Sequence, residues 1–196
     1  MSFKRTCRNC SGELPTLSRS DAVYCSSKCR LNAYRNPFPK ELVALDRWIR
    51  FSKSKVPLTP KNEVASSIVS RTWSSYKWVA SSHAGIGMGF VFNGDGIIGI
   101  DLDNAIDENG IKDWAKLIVD SFPATYTEIS PSGKGIHLIG RGEIFQGRRW
   151  KFHDGGIEIY GNARYFTMTG KRFEKTPKRI SRLGNVLDII SPILEG

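Results

Sequence analysis

The chain has 196 residues, 40% of them hydrophobic, with 29 Lys and Arg against 19 Asp and Glu, a net charge of +10. That length supports one real core plus a small appendage, and the basic balance points to a polyanionic partner, nucleic acid before membrane, with a merely soluble basic surface as the alternative. No stretch approaches the roughly 18 apolar residues of a membrane span, and the start Met-Ser-Phe-Lys-Arg-Thr-Cys has no apolar signal region, so a cytoplasmic protein with reduced cysteines is expected.

All four cysteines fall within the first 30 residues. Cys7-x2-Cys10, then 14 residues, then Cys25-x3-Cys29 is zinc-ligand spacing, because four thiolates at these separations can close a tetrahedron around a structural Zn²⁺. Pro37 and Pro39 then punctuate the chain, so residues 1–36 read as a separate zinc-binding module. Lys4, Arg5, Arg8, Arg19, Lys28, Arg30 and Arg35 make it basic. Contact with DNA or RNA and a folding staple with an incidental basic surface are both open.

A short helix is predicted at about 40–50, from Leu42, Leu45, Trp48 and Ile49 at helical spacing. A polar loop with Pro57 and Pro60 comes next, over 51–72. Strands at 88–92 and 97–103 flank Asn93-Gly-Asp-Gly96, a hairpin turn signal. Ile111, Trp114, Leu117, Ile118 and Phe122 form one helical stripe. Strands at 126–129 and 136–140 make a second hairpin around Ser130-Pro-Ser-Gly-Lys-Gly135, and strands at 157–160 and 165–169 a third around Gly161-Asn162. A short amphipathic helix broken by Pro192 is predicted at 186–194. This order fits an α+β sheet with helices packed on one face.

The strand period of two sorts the polar residues of these strands. Asp101 and Asp103 point to one face, Ile98, Ile100 and Leu102 to the other. By the same count His137 and Ile139 oppose Ile136 and Leu138, and Glu158 and Tyr160 oppose Ile157 and Ile159. An Asp-x-Asp pair alone is usually a solvated face. An EF-hand loop is excluded because its sixth position is Ile106 and its twelfth Lys112. The company of the pair carries more weight: a glycine-flanked turn offers backbone N–H groups, Ser132 and Lys134 to phosphates, His137 adds a donor, and Glu158 is a third carboxylate. Carboxylates so placed would hold two divalent ions, an arrangement suited to phosphoryl transfer.

That combination, in this order and spacing, resembles the archaeo-eukaryotic primase superfamily, most closely the phage and plasmid primase-polymerases, including the N-terminal domains of bifunctional DNA primase/polymerases. Lys55-Val-Pro-Leu, Thr72-Trp73 with Ser75-Tyr76, Gly87-Met-Gly89, Tyr126-Thr-Glu-Ile-Ser-Pro-Ser-Gly and Arg164-Tyr-Phe-Thr-Met-Thr-Gly170 look like further landmarks of that family, over about residues 42–175. The third motif departs from many relatives in having Glu158 for aspartate. No Gly-x4-Gly-Lys-Ser/Thr motif of a nucleotide-driven motor is present. Residues 21–35 are similar to small treble-clef-like zinc modules, in which a tyrosine precedes the third ligand and a basic helix comes after the fourth.

The resemblance implies a mainly antiparallel, RRM-like catalytic core with an N-terminal α/β unit over 41–182, beside the zinc module at 1–36 and a helical tail at 183–196. It implies that Asp101, Asp103 and Glu158 bind catalytic Mg²⁺ or Mn²⁺, and that Ser132, Lys134, His137 and Arg164 hold a nucleoside triphosphate. The implied activity is that of a template-directed nucleotidyltransferase on single-stranded DNA, with a replicative helicase as a candidate partner. A non-catalytic replication initiator and a metal-dependent nuclease are the alternatives. A nicking relaxase is disfavoured, because Ile136-His137-Leu138-Ile139 lacks paired histidines. Gly147-Arg-Arg-Trp-Lys-Phe-His-Asp154 has the composition of a base-stacking strand or of a hairpin whose Trp150 and Phe152 plug the core. The basic run from Lys171 to Arg182 reads as a solvated face or a second template contact.

Overall fold

The computed structural model describes residues 5–7 and 12–195, with the side chains of 32–35 outside the description. In chain order it contains α1 (Ser27–Arg35), α2 (Lys40–Val43), β1 (Trp48–Phe51), β2 (Pro57–Leu58), α3 (Tyr76–Ser81), β3 (Gly87–Asn93) and β4 (Ile97–Asp103). Then come β5 (Ile106–Asp107), β6 (Gly110–Ile111), α4 (Asp113–Asp120), β7 (Tyr126–Ile129), β8 (Ile136–Glu143), β9 (Arg148–Phe152), β10 (Gly155–Tyr160), β11 (Asn162–Met168), β12 (Arg182–Asn185) and α5 (Val186–Glu195). The α+β class and the predominance of antiparallel pairing are as expected. Only β12 with β8 runs parallel among the named strand pairs.

The strands form two principal sheets, one of order β11-β3-β1-β2 and one of order β12-β8-β4-β10-β9 in which β7 also pairs with β8. Two predicted hairpins are corrected by this. β3 and β4 are consecutive, and the turn between them has Gly94 at φ 84° and Gly96 at φ 83°, as its sequence suggests. Yet the two strands belong to different sheets. The turn is a crossing point, anchored by the guanidinium of Arg47 on Asp95 at 2.7 and 3.1 Å and on Asn93. Likewise β10 and β11 part company at Gly161, β10 pairing with β4 and β9, and β11 with β3. Turn chemistry is local, whereas the choice of partner strand rests on which side chains can be buried together. The β7–β8 hairpin forms as predicted. The predicted helix at 40–50 is a single turn, α2, succeeded by strand β1, because Trp48 and Ile49 pair with Phe90 and Gly89 of β3.

Each side of the six-stranded sheet has its own core. Ile98, Ile100, Leu102, Ile136, Leu138, Ile157 and Ile159 pack against Trp114, Ala115 and Ile118 of α4 and Val186 and Ile190 of α5. Pro192 sits within α5 without ending it. The opposite side meets the four-stranded sheet, where Ile97, Tyr126 and Ile139 lie against Phe38, Leu42, Trp48, Phe90, Phe92 and Phe166. Fully burying a side chain of this size stabilises by about 1.5–3 kcal/mol. The sheets approach closely at Gly99, where a Cβ would lie 2.4 Å from a ring carbon of Phe166 and 2.6 Å from one of Phe92. Among the described residues no helix is long and apolar enough to cross a membrane.

Candidate active site

A single transverse row of ionisable side chains crosses the six-stranded sheet. Arg149 of β9 is opposite Glu158 of β10, Glu158 opposite Asp101 of β4, Asp101 opposite His137 of β8, and His137 opposite Glu128 of β7. Directly paired residues of antiparallel strands share a face, so all five project to the side opposite the helices. Strand alternation therefore delivers Asp101, His137 and Glu158 together, while their apolar neighbours enter the helix-side core.

Contacts along the row are short. Arg149 Nε is ion-paired with Glu158 Oε1 at 2.8 Å. His137 Nε2 is 3.5 Å from Asp101 Oδ1, and its Nδ1 is 3.3 Å from Glu128 Oε1. At the sealed end, Glu128 is fully buried and accepts from Tyr126 Oη at 2.7 Å, the Thr169 N–H at 3.0 Å and the Gly170 N–H at 2.9 Å. At the other end, Asp101, His137, Glu158, Tyr160 and Arg164 line a cavity of about 460 Å³ together with Lys55, Arg149 and residues of the four-stranded sheet.

Charge in this cavity is unevenly solvated. Burial, along with the fields of Asp103 and Glu158, pushes Asp101 up to about 6, with His137 and Lys55 acting in the opposite direction. Its Oδ1 is buried and accepts no hydrogen bond. Burial alone would lower the basicity of His137, but the hydrogen bond to Glu128 and the Asp101 carboxylate outweigh it, so its pKa is raised. The buried Asp101 Oδ1 offers an acceptor with no hydrogen bond, although among the described residues Asp101, Asp103 and Glu158 do not form a preassembled cluster of ligand atoms. The oxygen-only chemistry of Asp101, Asp103 and Glu158 fits a hard divalent ion such as Mg²⁺ or Mn²⁺.

The remaining site candidates lie around this centre. Asp103 is exposed at the end of β4, opposite Gly156. Arg164 comes after a bulge in β11, with Ala163 at φ 54°, and its guanidinium stacks 5.0 Å above the ring of Tyr160. Ser132 and Lys134 are exposed in the β7–β8 turn and are not among the residues lining the cavity. Here the expected backbone N–H cradle is corrected: the Gly133, Lys134 and Gly135 N–H groups donate to Ser130 O, Ser132 Oγ and Ser130 Oγ. Three of the turn's amides are satisfied internally, so the Ser132 N–H and hydroxyl and the Lys134 ammonium are what it offers a ligand.

Three contributors lie in stretches the sequence singles out without being site candidates themselves. Lys55 lies on the β1–β2 turn in a left-handed conformation (φ 59°), its carbonyl accepting from the Tyr165 hydroxyl. Arg149 is in the basic–aromatic stretch, whose Trp150 and Phe152 pack on the helix-side core. Glu128 sits at an alternate position of β7, opposite His137. Its sequence signals are its place in the Tyr126-Thr-Glu-Ile landmark and that pairing, which the β7–β8 hairpin register fixes.

In the N-terminal module, the Sγ atoms of Cys7, Cys25 and Cys29 lie within 4.8 Å of one another, with Cys25 and Cys29 3.5 Å apart. A tetrahedral zinc thiolate site places its sulfurs about 3.8 Å apart, given Zn–S bonds of about 2.3 Å, so the cluster fits a metal. Cys10, the fourth candidate, lies outside the described residues. Cys29 belongs to the first turn of α1, so the helix starts before it and not after it. Lys178 contacts the segment between α1 and α2. Its ammonium donates to the Asn36 carbonyl, and burial, aided by Arg172, lowers its pKa to about 8.

No family model matches the chain. It is similar to the DNA primase-polymerase of Nitratiruptor phage NrS-1, with 34% identity over 154 residues, 70% of this chain. The chain spans about a fifth (21%) of the length of that curated relative. With the α+β fold and the carboxylate–histidine row, this similarity supports a primase-polymerase family for the chain.

Proposed function

We propose that this chain is a template-directed nucleotidyltransferase, a DNA primase/polymerase that starts or extends strands on single-stranded DNA from nucleoside triphosphates. The observation that carries the reading is the in-register row Glu158–Asp101–His137 opening on one cavity, with the buried Asp101 Oδ1 lacking a donor. Similarity to the phage primase-polymerase supports it independently.

In this reading Asp101, Asp103 and Glu158 hold Mg²⁺ or Mn²⁺. Such ions, when bound, supply Lewis-acid charge for an in-line displacement at phosphorus. The chain's own groups position and compensate. His137 presents Nε2 to the cavity and Arg164 a guanidinium, both suited to triphosphate oxygens. Ser132 and Lys134 reach phosphate from the β7–β8 turn. Arg149 neutralises Glu158 until a cation takes that oxygen. The net charge of +10 draws a polyanionic template to the surface. Residues 1–36 act as a zinc module, with Cys7, Cys10, Cys25 and Cys29 as ligands, that grips template beside the catalytic domain at 41–182. A helicase partner rests on the family resemblance alone.

The test is incubation of the protein with labelled single-stranded DNA, Mg²⁺ or Mn²⁺ and either nucleotide pool, with and without a primer. Products made without a primer indicate a primase, and extension of an added primer alone indicates a polymerase. A template that shortens, or no product in any arm, overturns the proposal.

A further inference from the structure

Glu128 is a buried carboxylate that the proposed chemistry does not use directly, and its surroundings assign it a task. Three donors and one histidine nitrogen converge on its two oxygens: Tyr126 Oη and the Gly170 N–H on Oε2, the Thr169 N–H and, at 3.3 Å, His137 Nδ1 on Oε1. Two of these are backbone amides just beyond the end of β11, a strand of the other sheet. The carboxylate is thereby clamped between the sheets, buried and contacted at both oxygens. A clamped acceptor dictates what its remaining partner must be. Glu128 Oε1 can receive a proton from His137 Nδ1 but cannot supply one.

We infer that Glu128 is the positioning residue of His137: it fixes Nδ1 as the protonated nitrogen and so turns Nε2 towards Asp101 and the cavity. The assignment holds for either charge state of the ring, because the neutral Nδ1–H tautomer and the imidazolium both keep that proton. It also explains why His137 is held at both edges, 3.3 Å from Glu128 and 3.5 Å from Asp101, while its ring packs on Phe166 with centroids 5.0 Å apart. Partners of this kind, one bond removed from the working group, commonly carry 10–100-fold effects, about the range seen around metal-bound histidines. The same clamp makes the position of His137 depend on the seating of the four-stranded sheet, through Thr169 and Gly170.

That Nε2 meets nucleotide phosphate rests on the function proposed above; the tautomer itself does not. Two measurements separate them. In nucleotide-free protein carrying ¹⁵N-histidine, long-range ¹H–¹⁵N spectra should show the Nδ1 of His137 protonated, and Glu128→Gln should introduce the other tautomer. In nucleotide incorporation, Glu128→Gln should raise the KM for nucleotide about tenfold and change kcat less than about threefold. Tyr126→Phe removes another hydrogen bond from the same carboxylate while sparing the His137 contact, and should change KM less than about twofold. An Nε2-protonated ring in the unsubstituted protein overturns the inference without any variant. Equal losses in Glu128→Gln and Tyr126→Phe also overturn it, since that pattern belongs to a purely structural carboxylate. Unsubstituted protein that incorporates no nucleotide defeats the proposed function and leaves the tautomer measurement to decide the inference.

Discussion

One face of the six-stranded sheet is sealed over half its width and open over the other half. In the sealed half, Ile97, Gly99, Tyr126, Glu128 and Ile139 meet the aromatic layer of the second sheet. In the open half, Asp101 and Glu158 face a cavity edged by Lys55, Arg149 and Arg164, with Asp103 exposed beyond them at the end of β4. The two glutamates of the transverse row make the contrast concrete. Glu128 has three donors, the His137 ring and no solvent, whereas Glu158 is held by an ion pair to an Arg149 side chain that is 73% exposed. A saturated carboxylate can only orient its neighbours. An under-saturated one can accept a cation. The same residue type in the same register therefore acquires opposite capacities from what covers it.

The contrast predicts effects of decreasing size. The largest concerns the centre of the open half: Asp101→Ala should lower nucleotide incorporation by about 10³-fold, several kcal/mol of lost charge stabilisation, while the far-ultraviolet circular dichroism spectrum stays unchanged. A variant retaining near-normal primer extension would remove Asp101 from the chemistry.

Next is the pH dependence of stability without added Mg²⁺ or Mn²⁺. Asp101 is pushed up from 3.8 to about 6, so the folded chain binds this proton more tightly than the unfolded chain does. Its stabilising contribution is complete below about pH 4 and disappears as the pH rises through about 6, an upper figure of about 3 kcal/mol. Urea melts between pH 4 and 7 should show this loss, and Asp101→Asn should flatten it. Added Mn²⁺ at pH 7 should stabilise the unsubstituted protein more than the variant.

In the sealed half, Gly99→Ala should destabilise by about 1–3 kcal/mol, because its methyl must displace the rings of Phe92 and Phe166. Thermal unfolding reads the effect directly. A neutral result would mean that the two sheets are not in close contact there. The smallest change is expected from Arg149→Ala. An exposed ion pair contributes about 0–1 kcal/mol, so stability should hardly move. The Mn²⁺ concentration for half-maximal activity should fall by no more than about fivefold, as Glu158 loses a competitor.

Legibility from sequence tracked the range of the physics involved. The faces of β4, β8 and β10 could be read because side-chain alternation is a property of one strand, and the residues at Asp101, His137 and Glu158 alternate cleanly with Ile and Leu. The β7–β8 hairpin was equally readable, since its turn and its pairing are adjacent. At Asn93–Gly96 and Gly161–Asn162 the turn residues were correct indicators of turns and poor indicators of partners. Trp48 and Ile49 suited a helical stripe as well as a strand, and pairing with β3 decided between them. Glu128 looked like any polar strand residue until the Thr169 and Gly170 amides were brought onto it from a distant segment.

The amino-acid order by itself thus set which side chains share a face, where the turns fall and that Asp101, Asp103, His137 and Glu158 project to the same side of one sheet. Those properties come from backbone geometry over a few residues. Tertiary structure alone decided that the strands divide into two sheets, that one half of the shared face is closed over, and that Glu128 is buried while Glu158 reaches a cavity. Burial depends on what the rest of the chain packs above a position, and no local pattern encodes it.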